Sequence, residues 1–192
     1  MANQTSAPHL ALPVHEELPT EGLPPGWGEG LAGKVAFAIA IAFSCFQLYV
    51  AAYGGLPSQV IRAMHVGFLL LLGFVLLANL RTSSRIMRPV LWCFGILGFA
   101  TGVYNWIFYE DLLFRAGFLT PLDLTFGTVL IVLVFEATRR LMGLPLAVIA
   151  GIFLAYCFLG QYAPGPFIHR GYDFGQIIEH MGFGTEGIYG TP

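Results

Sequence analysis

After residue 30 the chain is built from five long apolar runs, each bounded by charged or turn-forming residues. A run of about 20 apolar residues is what a helix needs to cross a hydrocarbon core of roughly 30 Å. The first run, Ala32 to Tyr53, contains Lys34 near its start and is closed by Gly54 and Gly55, with Tyr49 and Tyr53 placed as interfacial anchors. The second, Met64 to Leu80, lies between Arg62 and a loop carrying Arg81, Arg85 and Arg88. The third, Val90 to Tyr109, ends in Tyr104, Trp106 and Tyr109, residue types suited to the boundary of lipid and water, and is followed by Glu110 and Asp111. The fourth opens on a helix-start signal, because Thr120 can cap, Pro121 suits the first helical position and Asp123 completes a capping box. It closes at Glu136 followed by Arg139 and Arg140, two cations that complement the negative end of a helix dipole. The fifth, Leu144 to Tyr162, is stopped by Pro164 and Pro166.

The period changes beyond the fifth run. Asp173 and Gln176 predict a second capping box, and Phe174, Ile177, Ile178 and Met181 recur on one helical face, as in a short amphipathic helix at the membrane surface. The expected fold is therefore all-α and integral to the membrane: a bundle of about five transmembrane helices followed by an interfacial amphipathic helix. Residues 1–30 carry Glu16, Glu17, Glu21, Glu29 and five prolines, with no basic start ahead of an apolar stretch, so they read as a disordered tail and not as a secretory signal.

Composition agrees with lipid as the solvent. The chain is 56% hydrophobic and 10% charged, against about 25% charged in soluble domains, with a mean hydropathy of +0.72. A net charge of -2 and scattered cations argue against a nucleic-acid partner. The basic loops fix an expected topology, since Lys and Arg are retained on the cytoplasmic side. The N-terminal tail and the loops with Arg81 to Arg88 and Arg139 to Arg140 are then cytoplasmic, while Glu110, Asp111 and the tail after the fifth run are extracytoplasmic.

Candidate chemistry is sparse. Glu136 is the ionisable residue nearest a span interior, and its neighbours Arg139 and Arg140 make it a helix-end ion pair. His65 begins a span but would bind a haem iron only if a second histidine faced it; His9, His15, His169 and His180 all lie outside the spans. Gly95, Gly98 and Gly102 offer a face for close helix approach, and Gln47, Asn79 and Asn105 can hydrogen-bond between helices. Cys45, Cys93 and Cys157 fall within apolar runs, with no metal-ligand spacing. No phosphate loop, activated nucleophile or paired intramembrane carboxylates occur, so no catalytic, cofactor-binding or metal residues are expected, and neither is an enzyme.

Four stretches resemble one family, the membrane component of tripartite ATP-independent periplasmic (TRAP) transporters, in the fused form that works with a TAXI-type binding protein. They are Arg62 to Leu77 (RAMHVGFLLLLGFVLL), Tyr104 to Gly127 (YNWIFYEDLLFRAGFLTPLDLTFG), Val134 to Gly160 (VFEATRRLMGLPLAVIAGIFLAYCFLG) and His169 to Pro192 (HRGYDFGQIIEHMGFGTEGIYGTP). The EATRR and HRGY to TEGIYG segments are the most specific. Beyond the disordered cytoplasmic tail over 1–30, the resemblance implies a four-helix small-subunit-like module over 31–142, a connector helix over 143–168, and over 169–192 the amphipathic start of a large permease module that fused relatives continue for several hundred residues. It implies a scaffold in a bacterial inner membrane, partnered by the large permease module and an extracytoplasmic substrate-binding protein for organic acids. Sodium coupling would reside in the large module alone, and no substrate-binding residue carries over. Two other readings stay open, a haem-binding cytochrome b-like anchor and a membrane assembly protein.

Overall fold

In a computed structural model the described residues are 30–82 and 84–190, so the expected N-terminal tail lies outside them apart from its last residue. Helix α1 is Gly30–Tyr53, α2 is Ser58–Leu76 with a π-helical turn Leu77–Arg81, and α3 is Met87–Ile107. A short α4 (Tyr109–Phe114) leads to α5 (Pro121–Leu141), α6 (Leu144–Leu159) and α7 (Phe174–Gly182). Five of these elements are long and apolar enough to cross a membrane: α1, α2 with its π turn, α3, α5, and α6 with the 3-10 turn to Tyr162. The chain is an all-α, multi-pass membrane protein.

Packing follows side-chain size. Lipid tails are as apolar as leucine, so helices in a bilayer associate where small residues let backbones approach. Gly95, Gly98 and Gly102 form that surface on α3, and α2 lies on it in the largest helix interface. A methyl group on Gly102 would sit 2.7 Å from the Ala63 carbonyl oxygen, and one on Gly98 would sit 2.7 Å from Leu70 Cβ. Leu70, Phe74, Leu91, Leu130 and Leu133 fill the core beside this seam, with α5 closing it. By contrast only 6% of the apolar stretch of α1 and 11% of that of α6 is buried, against 44% for α2, so α1 and α6 present most of their surface to lipid.

Lys34, Arg81, Arg85, Arg88, Arg139 and Arg140 collect at one end of the bundle. Asn79 Nδ2 donates to the Ala32 carbonyl at 3.2 Å, tying the π turn to the start of α1, and Arg81 reaches the Arg140 carbonyl at 3.4 Å. The Thr82 hydroxyl donates to the Leu77 carbonyl at 3.2 Å at the end of the π turn.

Two features go beyond the hydropathy pattern. Helix α2 starts at Ser58, a turn and a half before the apolar run, because its polar first turns have partners far along the chain. Gln59 donates to the Phe183 carbonyl at 2.5 Å, and Arg62 to the Tyr189 carbonyl at 3.1 Å. The amphipathic helix α7 forms with both limbs of its capping box, Asp173 Oδ1 accepting from the Gln176 amide at 2.8 Å. Its apolar face is covered by α5: Ile177 and Ile178 are buried, and a methyl on Gly182 would stand 3.2 Å from the Gly127 Cα. The segment after α7 then turns inward and places Tyr189, 1% exposed, among Ala63, Leu130 and the other core residues. Burial raises the Tyr189 phenol above its ordinary value, so the hydroxyl stays neutral beside Thr101.

Candidate functional site

The most developed polar constellation lies at the end opposite the basic one, where α3, α4 and α5 meet. Thr120 caps α5 as its sequence demands: the Asp123 amide donates to Thr120 Oγ1 at 3.2 Å, and the Thr120 amide returns to Asp123 Oδ2 at 2.8 Å. The Asp123 carboxylate does more than cap. It is fully buried, takes the Tyr104 hydroxyl at 2.5 Å on Oδ1 and the Thr120 hydroxyl at 2.7 Å on Oδ2, and has Arg115 Nη2 at 3.4 Å. Tyr104 in turn stacks on Phe126 of α5, ring centroids 4.1 Å apart. An intramembrane carboxylate is costly unless paired and hydrogen-bonded. Asp123 has four such contacts, and the arrangement braces three elements with no lone pair aimed at a cavity.

The capping role of Asp123 was legible in the sequence; its tie to α3 was not. Arg115, in the loop after α4, carried no motif. The available signal was its position eight residues before a carboxylate at a helix start, close enough for a loop cation to fold back.

The other sequence candidates separate. Glu136 meets both neighbours, with Arg139 Nε at 2.8 Å and Arg140 Nε at 2.5 Å, a helix-end ion pair as expected. His65 lies 2.7 Å from the Gln47 amide nitrogen and edge-on to Phe43, so the groups around it belong to α1. His169 sits far along the chain against Tyr156, and His180 lies on α7. His9 and His15 fall outside the described residues. Gln47 and Asn79 both bond between helices, whereas Asn105 on α3 is buried with neither amide atom partnered among the described residues. Cys45 and Cys93 are exposed on the helix surfaces, Cys157 is half-buried, and all are free thiols. Among the described residues no group of three or more His, Cys, Asp or Glu side chains is placed to hold a metal.

The connection from α6 to α7 is a second built feature. The His169 amide donates to the Gly160 carbonyl at 3.1 Å and the Tyr172 amide to the Cys157 carbonyl at 3.0 Å, which satisfies the last carbonyls of α6. His169 Nδ1 accepts from the Gly171 amide at 3.1 Å, so Nε2 carries the proton in the neutral ring and donates to the Tyr156 carbonyl at 3.1 Å. Gly171 has φ +69°, which disfavours any side chain there. Gly160 is required for a different reason, because its missing side chain is where the His169 ring lies.

Replacing Gly160 with alanine is expected to expel that ring and destabilise the connection by about 1–3 kcal/mol, the usual range for an overpacked site. Limited proteolysis between residues 160 and 173 is the readout, with cleavage faster in the variant; unchanged cleavage would mean that the ring is not held there.

No protein-family model, curated protein or solved structure matches the chain.

Proposed function

We propose that this chain is a membrane scaffold module of a TRAP-type secondary transporter for organic acids, working with a large permease module and an extracytoplasmic TAXI-type binding protein. The observation that carries the reading is that segments resembling that family, far apart along the chain, grip one another. The RAMH segment lies in the second turn of α2 and holds the closing TEGIYG segment through Arg62 and Tyr189. The stretch from Tyr104 to Gly127 supplies the Asp123 brace and the seat for α7, and the HRGY segment closes the end of α6.

A scaffold also accounts for the interior. The α2–α3 seam is backbone against backbone, and the buried side chains of Gln59 and Asp123 act as ties between elements. In many transporters, by contrast, substrate and ion sites are built from discontinuous helices whose ends point into a cavity at mid-membrane. In this reading the basic end faces the cytoplasm of a bacterial cell, the end carrying Asp123 faces outward, and segment 169–190 anchors the mobile module to the static one. Substrate selection and sodium coupling belong to the large module.

Co-expression with a large TRAP permease lacking its own small module tests the assignment. The two chains are expected to co-purify, and proteoliposomes are expected to accumulate an organic acid only when both chains and the binding protein are present. Robust uptake by this chain alone, or no association with any such permease, would overturn it. The haem reading needs two imidazoles facing one another, and His65 faces Gln47 and Phe43 instead.

A further inference from the structure

Two cavities on the α6 side of the bundle adjoin. One, about 520 Å³, opens at the end of the bundle that carries the α6–α7 connection and is lined by Arg170, Tyr172, Gln176 and His180. The other, about 310 Å³, is a furrow between α5 and α6 walled by Phe135, Ala150, Phe153 and Leu154. Cys157 and Met181 line both, so the polar mouth and the apolar furrow lie side by side.

We propose that these adjoining cavities bind an anionic phospholipid from the surrounding bilayer, with its phosphate at Arg170 and one acyl chain in the furrow. Charge is the first argument. The Arg170 guanidinium lies over the Tyr172 ring, 5.8 Å from its centroid, and makes no salt bridge among the described residues. The carboxylate in the mouth, Glu179, keeps its charge but accepts from the Gly117 amide at 2.8 Å and forms no ion pair with Arg170. The mouth therefore offers a cation whose fork of donors matches a phosphate.

Shape and access agree with charge. From Ala150 to Cys157 the furrow follows α6 for about 10 Å, some two thirds of one leaflet of a roughly 30 Å hydrocarbon core. Only 11% of the apolar stretch of α6 is buried, and Phe153 is exposed, so a lipid chain enters sideways with no barrier to cross. An amphiphile with an acidic head and an apolar tail fits both cavities; a small polar solute fits only the mouth. The proposal concerns this chain's own surface and does not depend on the transporter assignment.

Native mass spectrometry of the full chain, titrated in detergent with phosphatidylglycerol or phosphatidylcholine, tests it. The parent protein is expected to retain one phosphatidylglycerol about fivefold in preference to phosphatidylcholine, the worth of one arginine beside an anionic headgroup. Arg170→Gln is expected to erase that preference and Arg170→Lys to keep most of it. Ala150→Phe, which fills the furrow, is expected to lower retention of both lipids. Arg170 and Ala150 are exposed, so these changes leave the core intact. An unchanged preference in Arg170→Gln, unchanged retention in Ala150→Phe, or a parent protein that binds no lipid and instead carries a second chain in the furrow would overturn the proposal.

Discussion

Replacing Gly102 with valine is expected to leave α2 and α3 unable to close on each other, with loss of the monodisperse protein in detergent. The first atom of any side chain there meets the Ala63 carbonyl oxygen at 2.7 Å and the Gly67 Cα at 3.5 Å. Both belong to backbone, so no flexible side chain can yield, and the whole helix must move. Helix association in lipid draws on close contact and not on hydrophobic burial, so that displacement removes much of what joins the pair. A cost of about 3 kcal/mol or more is expected, at the upper end for overpacking. Gly73→Ala serves as the control: its added methyl meets only the end of Leu141 at 3.7 Å, an ordinary contact. Size-exclusion profiles and melting curves of the two variants should diverge sharply. Equal, parent-like melting would mean that the glycine seam does not hold the bundle.

The second large effect is expected at Asp123. Its replacement by alanine leaves Thr120 as the α5 cap but removes the acceptor of the Thr120 amide, a hydrogen bond worth about 1 kcal/mol. It also strands the buried Tyr104 hydroxyl, and an orphaned buried donor costs about 1–3 kcal/mol. A combined loss of about 2–4 kcal/mol is expected in detergent unfolding. Asp123→Asn keeps an acceptor for the Thr120 amide and a partner for Tyr104 but gives up the attraction to Arg115. That guanidinium is 32% exposed, so its screened contribution is small and the asparagine variant should lose about 1 kcal/mol or less. If the asparagine variant were as damaged as the alanine one, charge and not hydrogen bonding would dominate the brace.

The sequence discloses spans more readily than contacts, for a physical reason. A membrane helix must satisfy its backbone internally and expose apolar side chains, so each span leaves a run that can be read without knowing its neighbours. The capping boxes at Thr120 and Asp173 were legible in the same way, because a cap is made within four residues. The glycines of α3 announced a close approach without naming the helix that approaches. The links from Gln59 to Phe183 and from Arg62 to Tyr189 were not legible, since nothing local marks a donor whose acceptor lies more than a hundred residues away. Hydropathy set the start of the second run at Met64 for that reason: the turns before it are polar where they meet the tail. Likewise, the periodicity of α7 revealed an apolar face but not that protein would cover it.

The distance in sequence between Arg62 and Tyr189, 127 residues, has a consequence for how the molecule is made. At bacterial and eukaryotic translation rates of about 5–20 residues per second, the first hairpin waits roughly 6–25 s for the tyrosine that completes its interior. During that interval the niche beside Ala63 and Leu130 has no side chain of its own to fill it, and a nascent chain halted after α6 would be left with an unfinished core. The turn around Tyr189 thus finishes a core begun more than a hundred residues earlier, and quality-control proteases would meet a looser target in any chain halted before it.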